Sequence, residues 1–131
     1  LLNISGLLDG VRAGLAVYKD NLRHASLIYN ASDCRVRCTV TTLDGQKTLP
    51  DELQINADEM EMQFRIVTYA TGWDFFSKAS RHESLTKLGS VSAVDFCARE
   101  MTGPIFGVFA RADRVEATNK FVEFTAFETD N

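Results

Sequence analysis

The chain has 131 residues, 45% of them hydrophobic and 24% charged, with a formal net charge of −4. That length and composition fit one domain with a real core, and the acidic balance argues against electrostatically driven binding to nucleic acid or to an anionic membrane. No apolar run reaches the ~18 residues of a membrane-spanning helix, and no basic-then-apolar signal peptide opens the chain; a start at Leu1 without Met reads as an excised segment or a piece of a longer protein.

In chain order, the first segment predicts a long amphipathic helix over residues 4–29. Ile4, Leu8, Val11, Leu15, Tyr18, Leu22, Ala25 and Tyr29 are spaced alternately four and three, an a/d seam. Asp9, Arg12, Lys19, Asp20 and Arg23 fall on the opposite side. Gly6, Gly10 and Gly14 lie beside the seam. Each costs about 1 kcal/mol against Ala in a helix interior, so close approach of another backbone has to offset them. A straight helix drifts about 20° per heptad from such a repeat, which favours a helical partner. The expectation is a homodimer in which Leu8, Val11, Leu15 and Leu22 meet their counterparts; the alternative is that the same seam covers the chain's own sheet. Asn30, Ser32 and Asp33 end the helix.

Residues 34–69 read as a three-stranded meander. Cys34, Val36, Cys38 and Val40 alternate with Arg35, Arg37, Thr39 and Thr41, the period of a half-buried strand. A hairpin turn at Asp44-Gly45 sets Val40 opposite Leu49. A second reversal at Ala57-Asp58 sets Ile55 opposite Met60 and Leu53 opposite Met62. Phe64 and Ile66 then continue inward while Glu59, Glu61, Gln63 and Arg65 point away, and a one-residue slip at either turn would invert the faces. Arg35 and Arg37 share the outer face and read as solvated or paired with nearby Glu.

After Thr71-Gly72 the pattern changes. Trp73, Phe75 and Phe76 crowd into four residues, followed by Arg81, His82 and a short stretch stopped by Gly89. Residues 71–88 predict a loop-rich crossover with one or two short helices, and residues 90–96 a weakly alternating strand. Gly103-Pro104 opens 105–111, a run of β-branched and aromatic residues that predicts a buried strand, with Gly107 marking close backbone approach. Residues 119–129 fit either a helix, with Phe121, Phe124 and Phe127 on one face, or a strand. The whole predicts a single α+β domain over 1–131: a long N-terminal helix packed on a five- to six-stranded antiparallel sheet, with a helical crossover.

Several short segments resemble those of GAF domains. Ala31-Ser32-Asp33-Cys34 enters a strand that ends in Asp44-Gly45. Ile66-Val67-Thr68-Tyr69-Ala70-Thr71-Gly72 precedes the crossover, and Gly89-Ser90-Val91-Ser92-Ala93-Val94 follows it. Pro104-Ile105-Phe106-Gly107-Val108-Phe109-Ala110-Arg111-Ala112-Asp113-Arg114, followed by Phe121, is similar to that family's penultimate segment. The resemblance implies a sensory or regulatory module. Asp113-Arg114 stands where cyclic-nucleotide-binding members often carry Asn-Lys, Thr125-Ala126 replaces the Asp-Glu expected after the Phe, and no Cys is followed by His as in bilin-attaching members. Neither of those ligand classes is therefore implied.

Chemistry-bearing motifs are sparse. Glycine-rich phosphate loops, nucleophile elbows and Cys–His pairs are absent, so no cofactor is expected. His24 and His82 lack partners at metal-ligand spacing, so no metal is expected either. Cys34 and Cys38, four apart on a strand, lie roughly 13 Å apart, beyond the about 7 Å that a disulfide spans. With Cys97 they make an odd count that reads as reduced and cytoplasmic. Asn3-Ile4-Ser5 and Asn30-Ala31-Ser32 match the glycosylation pattern, which is common by chance.

The function expected is a non-catalytic regulatory or sensory domain, with a small-molecule pocket lined by Tyr69, Trp73, Phe75, Phe76 and His82 and a dimer interface along helix 4–29. A second reading is a small cone-shaped α+β enzyme acting on an apolar substrate. Asp74 or Asp95, its pKa raised against apolar rings, would be the base, with Tyr69 or His82 as proton partner. A third is a structural assembly subunit.

Overall fold

In the computed structural model, which describes residues 1–4, 10–81, 84–93, 105–112 and 122–125, the segment expected to be the long helix is a strand and a hairpin. Leu2–Asn3 is β1, Val11–Asp20 is β2 and Arg23–Asn30 is β3. Ala13 pairs with Tyr29, Leu15 with Leu27 and Val17 with Ala25. Val11, Ala13, Val17, Ala25, Leu27 and Tyr29 are buried, so burial follows a period of two rather than 3.6. The three-four seam mixes both faces of these strands, and Tyr18 and Leu22 are exposed.

The turn at Asn21-Leu22 is local chemistry: the Leu22 N–H donates to Asp20 Oδ1 at 2.9 Å. Gly14 is a close-approach residue of a sheet. A Cβ there would lie 1.7 Å from the Leu27 carbonyl oxygen on β3. Without a helix the predicted dimer seam does not exist: Val11 lies in the core, Leu15 is half-buried on the core face, Leu22 tips a hairpin, and Leu8 lies outside the described residues.

Arg35–Thr42 (β4) and Gly45–Gln54 (β5) form the expected hairpin, with one shift. The turn residues are Leu43-Asp44, and Gly45, at φ +114°, is the first residue of β5. Val40 therefore faces Lys47 rather than Leu49. A bulge between Arg37 and Thr39 then restores the expected register, so that Val36 faces Leu53. Pro50, which has no N–H to give, lies within this bulge, on an edge strand.

Glu61–Tyr69 (β6) does not continue the meander. Its partners are β1 and Gly72–Ala79 (β7). The expected face parity fails at the turn, where Met60, expected inward, is exposed and Glu59, expected outward, is buried, but it holds on either side, since Ile55 and Met62 are buried and Phe64 and Ile66 pack on the core. Those residues meet across two sheets instead of along one. The helical crossover is likewise absent: β7 and Thr86–Ser92 (β8) are antiparallel strands. Ile105–Ala112 (β9) pairs with β2, and Glu123–Phe124 (β10) pairs with β1. β9 is an exposed edge strand rather than the buried strand expected, and the strand reading of the tail holds at Glu123–Phe124.

The result is a β-sandwich, ordered β10-β1-β6-β7-β8 in one sheet (sheet A) and β5-β4-β3-β2-β9 in the other (sheet B). Leu2, Met62, Phe75 and Leu88 of sheet A close on Val17, Leu27, Val36 and Cys38 of sheet B. The α+β expectation is thus overturned; among the described residues there is no α-helix. The element order on which the GAF resemblance rests, opening with a helix, is not the order found. No helix among the described residues is long and apolar enough to cross a membrane.

Candidate functional site

β7 alternates cleanly. Trp73, Phe75, Ser77 and Ala79 are buried, while Asp74, Phe76 and Lys78 turn to the outer face of sheet A. Cross-strand partners extend that outer row: Val67 and Ser90 flank Asp74, and Arg65 and Lys87 flank Phe76. The β7–β8 bulge between Phe75 and Phe76 lets Leu88 enter the core while Lys87 stays on the outer side.

Asp74 is the hub of this face. Ser90 Oγ donates to its Oδ1 at 2.6 Å, and Lys87 Nζ stands 3.6 Å from its Oδ2. The Ser90 bond, with the Lys87 charge and a hydrogen bond from Tyr69 added to it, outweighs desolvation and holds the carboxyl below its ordinary value. That is the reverse of the raised carboxyl an acid–base catalyst would use. Asp95 lies outside the described residues.

Of the residues expected to line a pocket, the fold brings Tyr69 and Phe76 to one face. Tyr69 is 52% exposed and Phe76 is half-buried. They stand four positions apart along adjacent strands, roughly 13 Å at 3.3 Å per residue, with Asp74 between them. Trp73 and Phe75 point the opposite way into the core, and His82 lies outside the described residues. Ser90, Lys87 and Arg65 were not singled out from the sequence. The period-two alternation of 73–79 is the signal that would have found their face, hidden by three aromatics in four positions.

Other polar clusters are structural in form. Arg35 bonds Glu52 and Gln54, and Arg37 bonds Asp33 and Glu52, so both arginines are paired on the outer face of sheet B. Glu59, buried, accepts two bonds from Arg81 at 3.0 and 3.1 Å beside a cleft of about 50 Å³ floored by Ile55 and Ala79. Burial pushes the Cys38 thiol up to about 12, and burial followed by a bond to Cys34 raises the Tyr29 hydroxyl. Among the described residues no three His, Cys, Asp or Glu side chains are grouped to hold a metal.

No protein-family model matches this chain. No curated protein matches it either. Among solved structures it is similar to a mutant of the GH43 protein BlXynB from Bacillus licheniformis, with a TM-score of 0.69 and 16% sequence identity. The match covers 92% of this chain and 24% of that one, so the chain spans about a quarter of that protein's length. At this identity the likeness is one of fold.

Proposed function

We propose that this chain is a non-catalytic β-sandwich module of a longer carbohydrate-active protein, and that the outer face of β6, β7 and β8 binds a neutral saccharide. The observation that carries the reading is Asp74, ionised and held by Ser90 and Lys87, at a strand position between those of Tyr69 and Phe76 on the outer face of the sheet. A sugar ring offers an apolar face to an aromatic side chain and hydroxyls to a fixed carboxylate and ammonium. A span of roughly 13 Å accommodates a short oligosaccharide. The fold-level likeness to about a quarter of the length of a GH43 glycoside hydrolase supports the class of ligand. The expected regulatory role is dropped, because the neighbour in fold is a glycoside hydrolase rather than a regulatory domain. The free thiols of Cys34 and Cys38 fit a reducing, cytoplasmic setting, and the acidic net charge leaves nucleic acid and membranes outside the proposal.

Titration with a panel of neutral oligosaccharides, followed by amide chemical shifts, tests it. Shifts are expected at Asp74, Phe76 and Ser90, and Tyr69→Ala or Asp74→Ala weakens binding about tenfold or more, the effect of losing a stacking ring or a charge-assisted bond. A folded protein that shows no shift at millimolar saccharide rejects the reading.

The pH dependence follows from the same carboxylate. Its value lies below the ordinary 3.8, so the charged form is full above that value and is lost only as pH falls through the lowered one. Affinity should be flat from about pH 8 to 5 and fall below about pH 4. An affinity that rises on acidification to pH 5 contradicts this assignment.

A further inference from the structure

The two edges of sheet B are built differently. β5 carries Lys47, Pro50, Asp51 and Glu52, residues that discourage another strand from adding. β9 runs Ile105-Phe106-Gly107-Val108-Phe109-Ala110 with no charge and no proline, and Ile105, Phe106 and Val108 are 67%, 38% and 44% exposed. Among the described residues nothing pairs with its outer edge, which leaves a row of backbone donors and acceptors beside apolar side chains.

We propose that this edge pairs with β9 of a second copy of the chain, antiparallel about a two-fold axis at Val108, to make one ten-stranded sheet. This surface is unrelated to the helix seam expected from the sequence. Three observations select a second copy as the occupant. First, β9 is apolar on both faces from Ile105 to Ala110, so its complement must be too, and the same stretch of a second copy meets that requirement. Second, the register places Phe109 of each copy opposite Gly107 of the other. A Cβ on Gly107 would meet nothing within 4 Å, so the ring has room to lie over it. Third, the same register sets Arg111 opposite Ile105, so like charges do not meet across the axis. One eight-residue strand and its side chains bury less than the about 800 Å² per partner of a standard interface, so the association is micromolar rather than obligate.

Sedimentation of the wild-type chain and of Val108→Lys tests the proposal, with disulfide capture in Val108→Cys fixing the register. The wild type is expected to shift from monomer to dimer across the micromolar range. Val108→Lys, at an exposed position, should stay monomeric with an unchanged melting temperature. Val108→Cys should form an intermolecular disulfide under mild oxidation, because directly opposed Cα atoms lie about 4.5–5.5 Å apart. A wild-type monomer at high micromolar concentration overturns the proposal, and so does a dimer that survives Val108→Lys. Cross-linking that fails at Val108 in a proven dimer overturns the register and with it the packing of Phe109 on Gly107. Saccharide binding on sheet A is independent of all three outcomes.

Discussion

Phe75→Ala should cost the fold about 3–5 kcal/mol, read as a lowered urea midpoint with an unchanged slope. Phe75 is 0% exposed and lies among Ile66 and Gly89 of the adjoining strands, with the opposite sheet closing over it. Truncating it removes the transfer energy of a ring and leaves a cavity that a rigid sandwich cannot collapse. Against a total stability of about 5–15 kcal/mol, a loss of that size brings the domain near unfolding. Phe76→Ala is the control one position along. Its ring is on the outer face, so its loss should change stability by less than about 1 kcal/mol while weakening saccharide binding. Equal costs at the two positions would mean that β7 does not alternate as described.

Gly14→Ala should destabilise by about 1–3 kcal/mol or more. A methyl group at Gly14 would stand 1.7 Å from the Leu27 oxygen and 2.8 Å from its carbonyl carbon, both backbone atoms of the neighbouring strand. Relief requires β2 and β3 to separate at the pair that carries Leu15 and Leu27. The sign is informative. In a helix the same change would stabilise by about 1 kcal/mol, so a chemical melt of one variant distinguishes the two architectures.

Local alternation was legible in the sequence; the pairing of distant segments was not. Val36, Cys38, Val40, Ile55, Met62, Phe64 and Ile66 share the inner side as their spacing predicts. A period of two fixes which side chains look inward, but not which strand lies alongside. The turn at Ala57-Asp58 could reverse the chain within one sheet or carry it to the other, and the two outcomes have the same inner face. The N-terminal error has a similar source. Two strands joined by a two-residue turn produced a three-four spacing by coincidence, and Val11, Val17, Tyr18, Ile28 and Tyr29 carried a β preference that the seam outweighed. Of the candidate site, Tyr69 and Phe76 were legible as aromatics. Their common face with Asp74, Ser90 and Lys87 depends on the β6–β7–β8 register and on one bulge, and neither leaves a mark in composition.

The β1–β10 pair has a consequence for how the chain reaches this state. The Leu1 backbone nitrogen donates to the Thr125 carbonyl at 2.8 Å, and the Thr125 N–H donates back to the Leu1 carbonyl at 2.8 Å. β1 also holds β6, some sixty residues away, so the edge of sheet A is closed by the two most separated described segments. Such closure pays its loop entropy before any contact rewards it, which places folding in the millisecond-to-second range typical of sandwiches. On the ribosome, β2 to β5 can form their consecutive hairpins as they emerge, whereas Leu2 waits for Phe124. Until then the inner face of sheet A, with Met62 and Phe75 on it, is bounded by an open edge, and that interval is when the nascent chain is most exposed to misassociation.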